Sequence, residues 1–297
     1  MAHESAALDY FVVDVFTETA LAGNPLAVVM NTANLSTEQM QLIAREFNLS
    51  ETTFVERRAD ETEAIEGIRT RIFTTEEELP FAGHPTLGTA SVLKIADPSL
   101  ALKSSITLAE NVGPIPVVFD AARKNLFGEM TQRDPEFGME LDPMRVAELI
   151  GLIPGDIDSS HSPQIVSTGN GFGIVLLRTI EALAHLDVRQ KEATAFLRPL
   201  GGRWFYVMAA EGERFRARMQ FNGGEDPATG SAAGCAISYL VARGIVPSGE
   251  QICVRQGVEM GRPSDLFLRS NLDTGKVTNV RVAGSTVLVA RGKLLVP

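Results

Sequence analysis

The spacing of apolar positions divides the chain into many short strands and a few helices. Residues 9–16 alternate, with Phe11, Val13 and Val15 on one face and Val12 and Asp14 on the other, which predicts a strand. A Gly23-Asn24-Pro25 turn signal separates it from a second apolar strand over 26–30. Ser36-Thr37-Glu38-Gln39 has the S-x-x-Q form of a capping box, with Leu35 and Met40 at the two positions of a hydrophobic staple. Met40, Ile43 and Phe47 continue at helical spacing and predict about three turns of helix. Residues 51–55 and 67–74 read as strands, the first placing Glu51, Thr53 and Val55 on one face and Phe54 on the other. An uncharged run of small residues over 85–93 predicts a helix. Short strands broken at Gly113-Pro114 and at 121–125 follow over 104–130.

After Arg133-Asp134-Pro135 the pattern starts again. An amphipathic helix is expected over 142–152, strands over 164–166 and 173–177, a helix over 188–196, and strands over 204–209 and 215–221. The segment 228–242 carries no charge in 15 positions, and a helix that is small or apolar on every side has to be buried. Short strands run to the end, 287–289 being the clearest. A boundary between Gly128 and Pro135 gives a first domain of 1–130 and a second of 131–283.

The two uncharged helices share a pattern, [HD]-P-x-x-G-[ST]-A, in His84-Pro85-Thr86-Leu87-Gly88-Thr89-Ala90 and Asp226-Pro227-Ala228-Thr229-Gly230-Ser231-Ala232. The copies are 226 − 84 = 142 residues apart, nearly half of the 297. Each follows a Gly-containing turn, which favours an internal duplication. On this reading Pro stands at the first helical position, Asp226 is the N-cap of its helix and His84 holds the equivalent place. Gly88, Thr89, Gly230 and Ser231 would leave first-turn N–H groups open to an anion. The same small residues would also let a central helix lie close to a surrounding sheet.

Composition changes this picture by exclusion. Lys plus Arg number 27 and Asp plus Glu 37, a net charge of −10, which gives no electrostatic footprint for nucleic acid or an anionic membrane. Two cysteines, Cys235 and Cys253, cannot build a disulfide framework or a Cys-rich zinc site. No apolar run approaches the ~20 residues needed to cross a bilayer, and the first ten residues lack the basic and apolar regions of a signal peptide. A cytoplasmic protein is expected. His3, His84, His161 and His185 show no metal-ligand spacing. Gly169-Asn170-Gly171-Phe172-Gly173 superficially resembles a dinucleotide loop, but it leads into a strand where such a loop requires a helix. Cys235 lies inside an uncharged helix and reads as inert packing. The remaining candidates for chemistry are Glu51, beside Ser50 at a strand start, and His84 and Asp226, at the two uncharged helices. Taken singly, each could equally be a solvated strand end, a structural hydrogen bond or a plain helix cap. They leave acid–base enzyme, carboxylate-binding module and scaffold all open.

At these residues the sequence resembles the PhzF-like family of phenazine biosynthesis. The matching stretches are Val13-Asp14-Val15-Phe16-Thr17, Gly23-Asn24-Pro25-Leu26-Ala27-Val28-Val29, Asn48-Leu49-Ser50-Glu51-Thr52-Thr53-Phe54-Val55, Leu79-Pro80-Phe81-Ala82-Gly83-His84-Pro85 with the five residues after it, and Gly224-Glu225-Asp226-Pro227-Ala228-Thr229-Gly230-Ser231-Ala232-Ala233. The resemblance implies an α+β, diaminopimelate-epimerase-like fold: two pseudo-symmetric domains, each a β-barrel wrapped around a central helix, with the active site in the cleft between them. Residues 284–297 are expected to complete the first domain. It further implies a cofactor-independent, homodimeric isomerase acting on a small carboxylate, similar to trans-2,3-dihydro-3-hydroxyanthranilate isomerase. Glu51 matches the family's acid/base, while His84 and Asp226 match residues that hold the substrate and assist proton movement. Gly83, Gly230 and Ser231 match positions near the substrate carboxylate. The cysteine pair of related racemases falls near Ala82 and Thr229, which argues against two-thiol chemistry. Asn170-Gly171-Phe172-Gly173 departs from the family's wording, so the substrate is expected to differ from the phenazine precursor. Two other readings are an epimerase or racemase of a small carboxylate that uses no thiols, and a catalytically inactive small-anion binding protein.

Overall fold

A computed structural model describes residues 6–123, 125–221 and 224–296. The chain divides into two compact units, Met1–Met130 with Gly284–Pro297, and Thr131–Ala283.

Unit one is built from β1 (Ala6–Val15), β2 (Asn24–Val29), α1 (Thr37–Phe47), β3 (Glu51–Glu56), α2 (Asp60–Glu66), β4 (Ile68–Phe73), β5 (Glu78–Leu79), α3 (Gly83–Ala96), β6 (Ser105–Glu110), β7 (Gly113–Phe119) and β8 (Leu126–Thr131). The last strand of the chain, β18 (Lys276–Val296), contributes its second half. The strand order is β1-β2-β3-β4-β6-β7-β8-β18, and antiparallel pairing of β1 with β18 closes it into an eight-stranded barrel. Inside lies α3, packed against β1, β2, β3, β6 and β7. Every residue from Gly83 to Leu93 is buried, which is why this stretch carries no charge: a helix with sheet around it has no solvent face to solvate one. Gly88 marks a close approach of helix to sheet, since a Cβ there would come within 2.6 Å of Leu26 and 2.8 Å of Val15.

The outer face of unit one carries α1. Its capping box is complete, with Ser36 Oγ accepting from Gln39 N at 3.2 Å and Gln39 Oε1 accepting from Ser36 N at 2.9 Å. Met40, Ile43 and Ala44 pack with Val29, Phe54 and Phe73, and Leu35 and Phe47 join this cluster. β3 is therefore covered on both sides, with Phe54 under α1 and the opposite face toward α3.

Unit two contains β9 (Glu136–Glu140), α4 (Pro143–Leu149), β10 (Gln164–Ser167), β11 (Gly171–Leu177), α5 (Ile180–Ala184), α6 (Gln190–Leu197), β12 (Trp204–Glu211), β13 (Arg214–Arg218), β14 (Gln220–Phe221), β15 (Gly224–Glu225), α7 (Gly230–Ala242), β16 (Ile252–Gln256) and β17 (Ser264–Asp273). The first half of β18 pairs with β17, and the order continues β16-β13-β12-β11-β10-β9. The buried α7 touches β10, β11 and β17. β10 and β17 stand five places apart in that order, so the sheet curls around the helix. Val146, Leu149, Leu183 and Leu197 of α4, α5 and α6 cover its other face against Val175, Leu177, Phe205 and Val207.

The two units repeat one succession of pairings. In unit one β1/β2 is antiparallel, β2/β3 parallel, β3/β4 antiparallel, β4/β6 parallel and β6/β7 antiparallel. In unit two β10/β11, β11/β12, β12/β13, β13/β16 and β16/β17 follow the same alternation. Each central helix fills the same slot in it. The duplication is real, but the register suggested by the shared sequence pattern is not. α3 starts at Gly83 and α7 at Gly230, 230 − 83 = 147 residues apart, so Ala82 corresponds to Thr229 and His84 to Ser231.

Helix boundaries shift accordingly. Pro85 is the third residue of α3 and His84 the second, not its cap; any of the first four helical N–H groups lacks an intrahelical acceptor, so proline is tolerated there. Asp226 stands four residues ahead of α7 and does not cap it directly. α4 stops at Leu149, short of the expected 152, because Gly151 (φ +73) turns the chain where a Cβ would lie 2.5 Å from Asp187 O. The short helices α2 and α5 were not legible; α2 buries no residue and so imposes no apolar spacing. Among the described residues no helix is long and apolar enough to cross a membrane.

Candidate active site

In unit one the parallel pairing of β2 and β3 sets Leu26 opposite Glu51. Glu51, Thr53 and Val55 then face α3. One step of two residues along a strand covers ~6.7 Å, and five residues of helix rise ~7.5 Å. That match brings His84 to Glu51 and Thr89 to Thr53. The two threonine hydroxyls meet at 2.8 Å, both fully buried. His84 Nε2 stands 3.4 Å from Glu51 Oε2, with the His84 side chain 5% and the Glu51 side chain 17% exposed.

The other ring nitrogen, His84 Nδ1, lies 3.2 Å from Asn24 Nδ2. Asn24 comes from the first residue of β2, so the turn that reads only as punctuation in the sequence supplies an orienting group. Burial pushes the His84 pKa down to about 3, against an opposing hydrogen bond with the Pro25 backbone. The imidazole is therefore neutral at any ordinary pH. A neutral ring can hold a hydrogen bond to a reacting group without adding a charge that would compete with the Glu51 carboxylate. Gly83, the first residue of α3, is buried, whereas Ser50 is exposed just ahead of β3.

In unit two Asp226, Gly230 and Ser231 surround the start of α7. Thr229 Oγ1 donates to Asp226 Oδ2 at 2.7 Å. Gln256, at the end of β16 and fully buried, holds the segment from below: its Nε2 donates to Asp226 O (2.7 Å) and Thr229 Oγ1 (2.9 Å), and its Oε1 accepts from Thr229 N (3.1 Å). These bonds occupy the groups that an earlier helix start would use, which explains why α7 begins only at Gly230. Arg218 fixes the preceding residue through a bidentate pair with Glu225, 2.9 and 2.7 Å, and also donates to Leu183 O and Ala184 O. Gln132 Nε2 donates to Gly230 O at 2.8 Å. The Tyr206 ring is fully buried, and burial together with the Asp226 charge holds its phenol well above its ordinary pKa.

The candidates thus fall into two groups: Glu51, His84 and Gly83 together in unit one, and Asp226, Gly230 and Ser231 together in unit two. Gln256, Arg218 and Gln132 carry no sequence motif, and Asn24 shows in the sequence only as part of a turn signal and a family-matching stretch. Cys235 is buried inside α7 with its thiol pushed up to about 11 by burial, and Cys253 is also raised to about 11, so neither is a ready thiolate. Ala82 and Thr229, at the racemase thiol positions, are the N-cap residues of α3 and α7. Among the described residues no three His, Cys, Asp or Glu side chains group as metal ligands; His3 lies outside them.

The profile of the PhzC–PhzF family, described as phenazine biosynthesis-like protein, matches residues 13–292. A trans-2,3-dihydro-3-hydroxyanthranilate isomerase of Pseudomonas chlororaphis is 35% identical over 292 residues, covering 96% of this chain and 99% of that protein. The solved structure of a protein described as a predicted epimerase from Pseudomonas aeruginosa superposes with a TM-score of 0.84 at 34% identity, over 98% of this chain and 100% of that one. A probable proline racemase from Agrobacterium radiobacter reaches a TM-score of 0.62 at 10% identity, over 98% and 93% of the two chains, a likeness of fold alone. The fold is the α+β, diaminopimelate-epimerase-like one.

Proposed function

The chain belongs to the PhzC–PhzF family of phenazine biosynthesis-like proteins, and on that premise we propose that it is an isomerase moving a proton between carbons of a small carboxylate. The observation that carries this reading is the Glu51 carboxylate set against a buried, neutral imidazole at 3.4 Å. Glu51 takes a proton from one substrate carbon and returns it to another. His84, oriented through Asn24, holds the substrate and assists the proton's movement. Asp226 holds a polar group of the substrate, and Gly83, Gly230 and Ser231 present first-turn N–H groups to its carboxylate. Ser50 contributes from the residue before Glu51. The curated relative's substrate, trans-2,3-dihydro-3-hydroxyanthranilate, is the first compound to test.

Glu51→Gln keeps the shape and removes the base. Positioned acid–base groups contribute ~10²–10⁴-fold, so kcat should fall by at least the lower figure; activity within a few-fold of wild type overturns the assignment. In D₂O, partial retention of the migrating proton supports a single shuttle residue. Inversion at a stereocentre without a double-bond shift would instead move the protein to the epimerases. The reaction as proposed needs no cofactor, and activity should survive EDTA and dialysis. A cytoplasmic homodimer completes the reading, with sedimentation equilibrium as the check on assembly.

A further inference from the structure

Outside the groups used above, one buried acid stands against the first turn of the helix that carries His84. Glu110 ends β6, where period-2 alternation turns Ile106, Leu108 and Glu110 inward, and it is 5% exposed. Its Oε1 lies 2.6 Å from Thr86 Oγ1, and the same hydroxyl lies 2.7 Å from Ala82 O, the carbonyl of the residue that caps α3. A hydroxyl owns a single hydrogen. If Thr86 donates it to Ala82 O, an ionised Glu110 would face Thr86 with two oxygens at 2.6 Å and no hydrogen between them. If Thr86 donates it to Glu110, the same collision falls on Ala82 O. Both contacts are satisfied together only when Glu110 carries a proton and donates it to Thr86.

We propose that Glu110 is a neutral carboxylic acid at physiological pH and a positioning residue for His84, its hydrogen bond through Thr86 to Ala82 fixing the first turn of α3. Unit two supports this independently. There the strand-end residue in the equivalent place is Gln256, an amide, which performs the same task on the start of α7 by donating from Nε2. A protonated Glu has the shape of Gln and one donor, so the two units solve one problem with related groups. Glu110 Oε2 is buried and finds no partner among the described residues, as suits a neutral acid better than a carboxylate.

The charged side chain acting on Glu110 is Arg69 of β4, whose guanidinium is directed to Ala109 O (3.2 Å) and Asn111 Oδ1 (2.7 Å). β7 carries no titratable side chain, and His84 on α3 is neutral. Burial outweighs the Thr86 hydrogen bond and Arg69, and raises the Glu110 pKa to about 8. A carboxyl raised in the folded state holds its proton there while the unfolded chain has released it, so its contribution to stability is full below about 4.5 and drains away as pH rises to about 8.

Two measurements on the full chain test this proposal, and neither needs turnover. It rests on His84 as a site residue, yet its failure would leave the Glu51→Gln result standing, and the reverse also holds. First, thermal melts of wild type and Glu110→Gln from pH 5 to 9 should show the variant's Tm rising relative to wild type with pH, then levelling above about 8. A gap that is constant, or that turns against the variant as pH rises, shows an ionised Glu110 paired with Arg69 and overturns the proposal. Second, the His84 ring nitrogens, assigned with His84→Asn, should shift in wild-type NMR spectra with a midpoint near 8, and stay flat in Glu110→Gln. An inflection that survives in the variant, or none in wild type, overturns the positioning role.

Discussion

His84 Nε2 and Glu51 Oε2 stand 3.4 Å apart, the ring almost sealed from water and the carboxylate open along one edge. This asymmetry assigns their behaviour. The imidazole titrates far below its ordinary range, so no limb of the activity–pH profile between pH 5 and 8 belongs to it. In kcat/KM profiles, any acid limb seen in wild type should persist with an unchanged midpoint when Asn24, the partner of His84 Nδ1, is replaced by Ala. A limb that moves by a full unit would show that His84 titrates there.

The same burial makes a prediction about stability in acid. The folded-state pKa of His84, about 3, lies below the 6.5 of the unfolded chain. Between those values the unfolded state binds the extra proton, so stability rises with pH across that window and is lost as pH falls. His84→Asn removes the titrating group. Its Tm relative to wild type should therefore improve progressively from pH 6.5 downward. A Tm difference that is flat across pH 4–7 would mean that the ring is not held neutral.

Much of this architecture was readable because burial leaves marks in a sequence. The absence of charge in α3 and α7 identified the two central helices, and the capping box at Ser36 fixed α1 to within one residue. β3 followed from its β-branched and aromatic content, and strand periodicity then set Phe54 on the face opposite Thr53 and Val55. The shared pattern around His84 and Asp226 misled in detail: a short motif containing Pro and Gly fits two local geometries, one running straight into a helix and the other held in a turn by Gln256 first. Gln256 and Arg218 were invisible, because a polar residue that binds backbone groups 30 or more positions away leaves no periodicity. Glu110 did leave a mark, an acid on the inward face of an alternating strand, but the alternation alone does not say what it meets.

The support beneath Asp226 should be costly to remove. Arg218 is nearly buried, and its guanidinium is shared by the Glu225 carboxylate and two carbonyls of the α5 end. Arg218→Met leaves Glu225 with its carboxylate in a dry setting and frees the carbonyls. Breaking such a pair from one side costs about 3–5 kcal/mol. Chemical denaturation should show a loss in that range. A loss under 1 kcal/mol would place the pair among ordinary surface bridges.

Gly257 follows Gln256 with φ +75, and a Cβ there would lie 2.4 Å from Arg262 O and 2.7 Å from Pro227 O. Both objections, the left-handed backbone and the closeness of two carbonyls, apply at once. Gly257→Ala should therefore destabilise by more than the ~1 kcal/mol typical of a point change, and it should do so by displacing Pro227 and with it Asp226. Under the proposed function, KM for the carboxylate substrate should rise with that displacement. An alanine variant with wild-type Tm would show that the turn tolerates a side chain.

Converting the clamp of unit two into an acid gives the most direct reading of what Gln256 does. Its Nε2 donates to Asp226 O and Thr229 Oγ1, while its Oε1 accepts from Thr229 N. A carboxylate can keep only the accepting half of that set. Gln256→Glu, if ionised, would turn an oxygen toward Asp226 O and bring a negative charge close to the Asp226 side chain. Leaving a buried acceptor without its donor costs about 1–3 kcal/mol, and more when a charge is involved. Protonation restores one donor, so the variant should approach wild-type stability in acid and fall behind as pH rises. The sign is that of a carboxyl whose folded pKa is raised: its stabilising contribution is intact below the unfolded value and lost upward through the folded one. Tm measured against pH for both proteins checks this, and a deficit that stays the same from pH 4.5 to 8 would show that the Nε2 hydrogen bonds do not hold the turn.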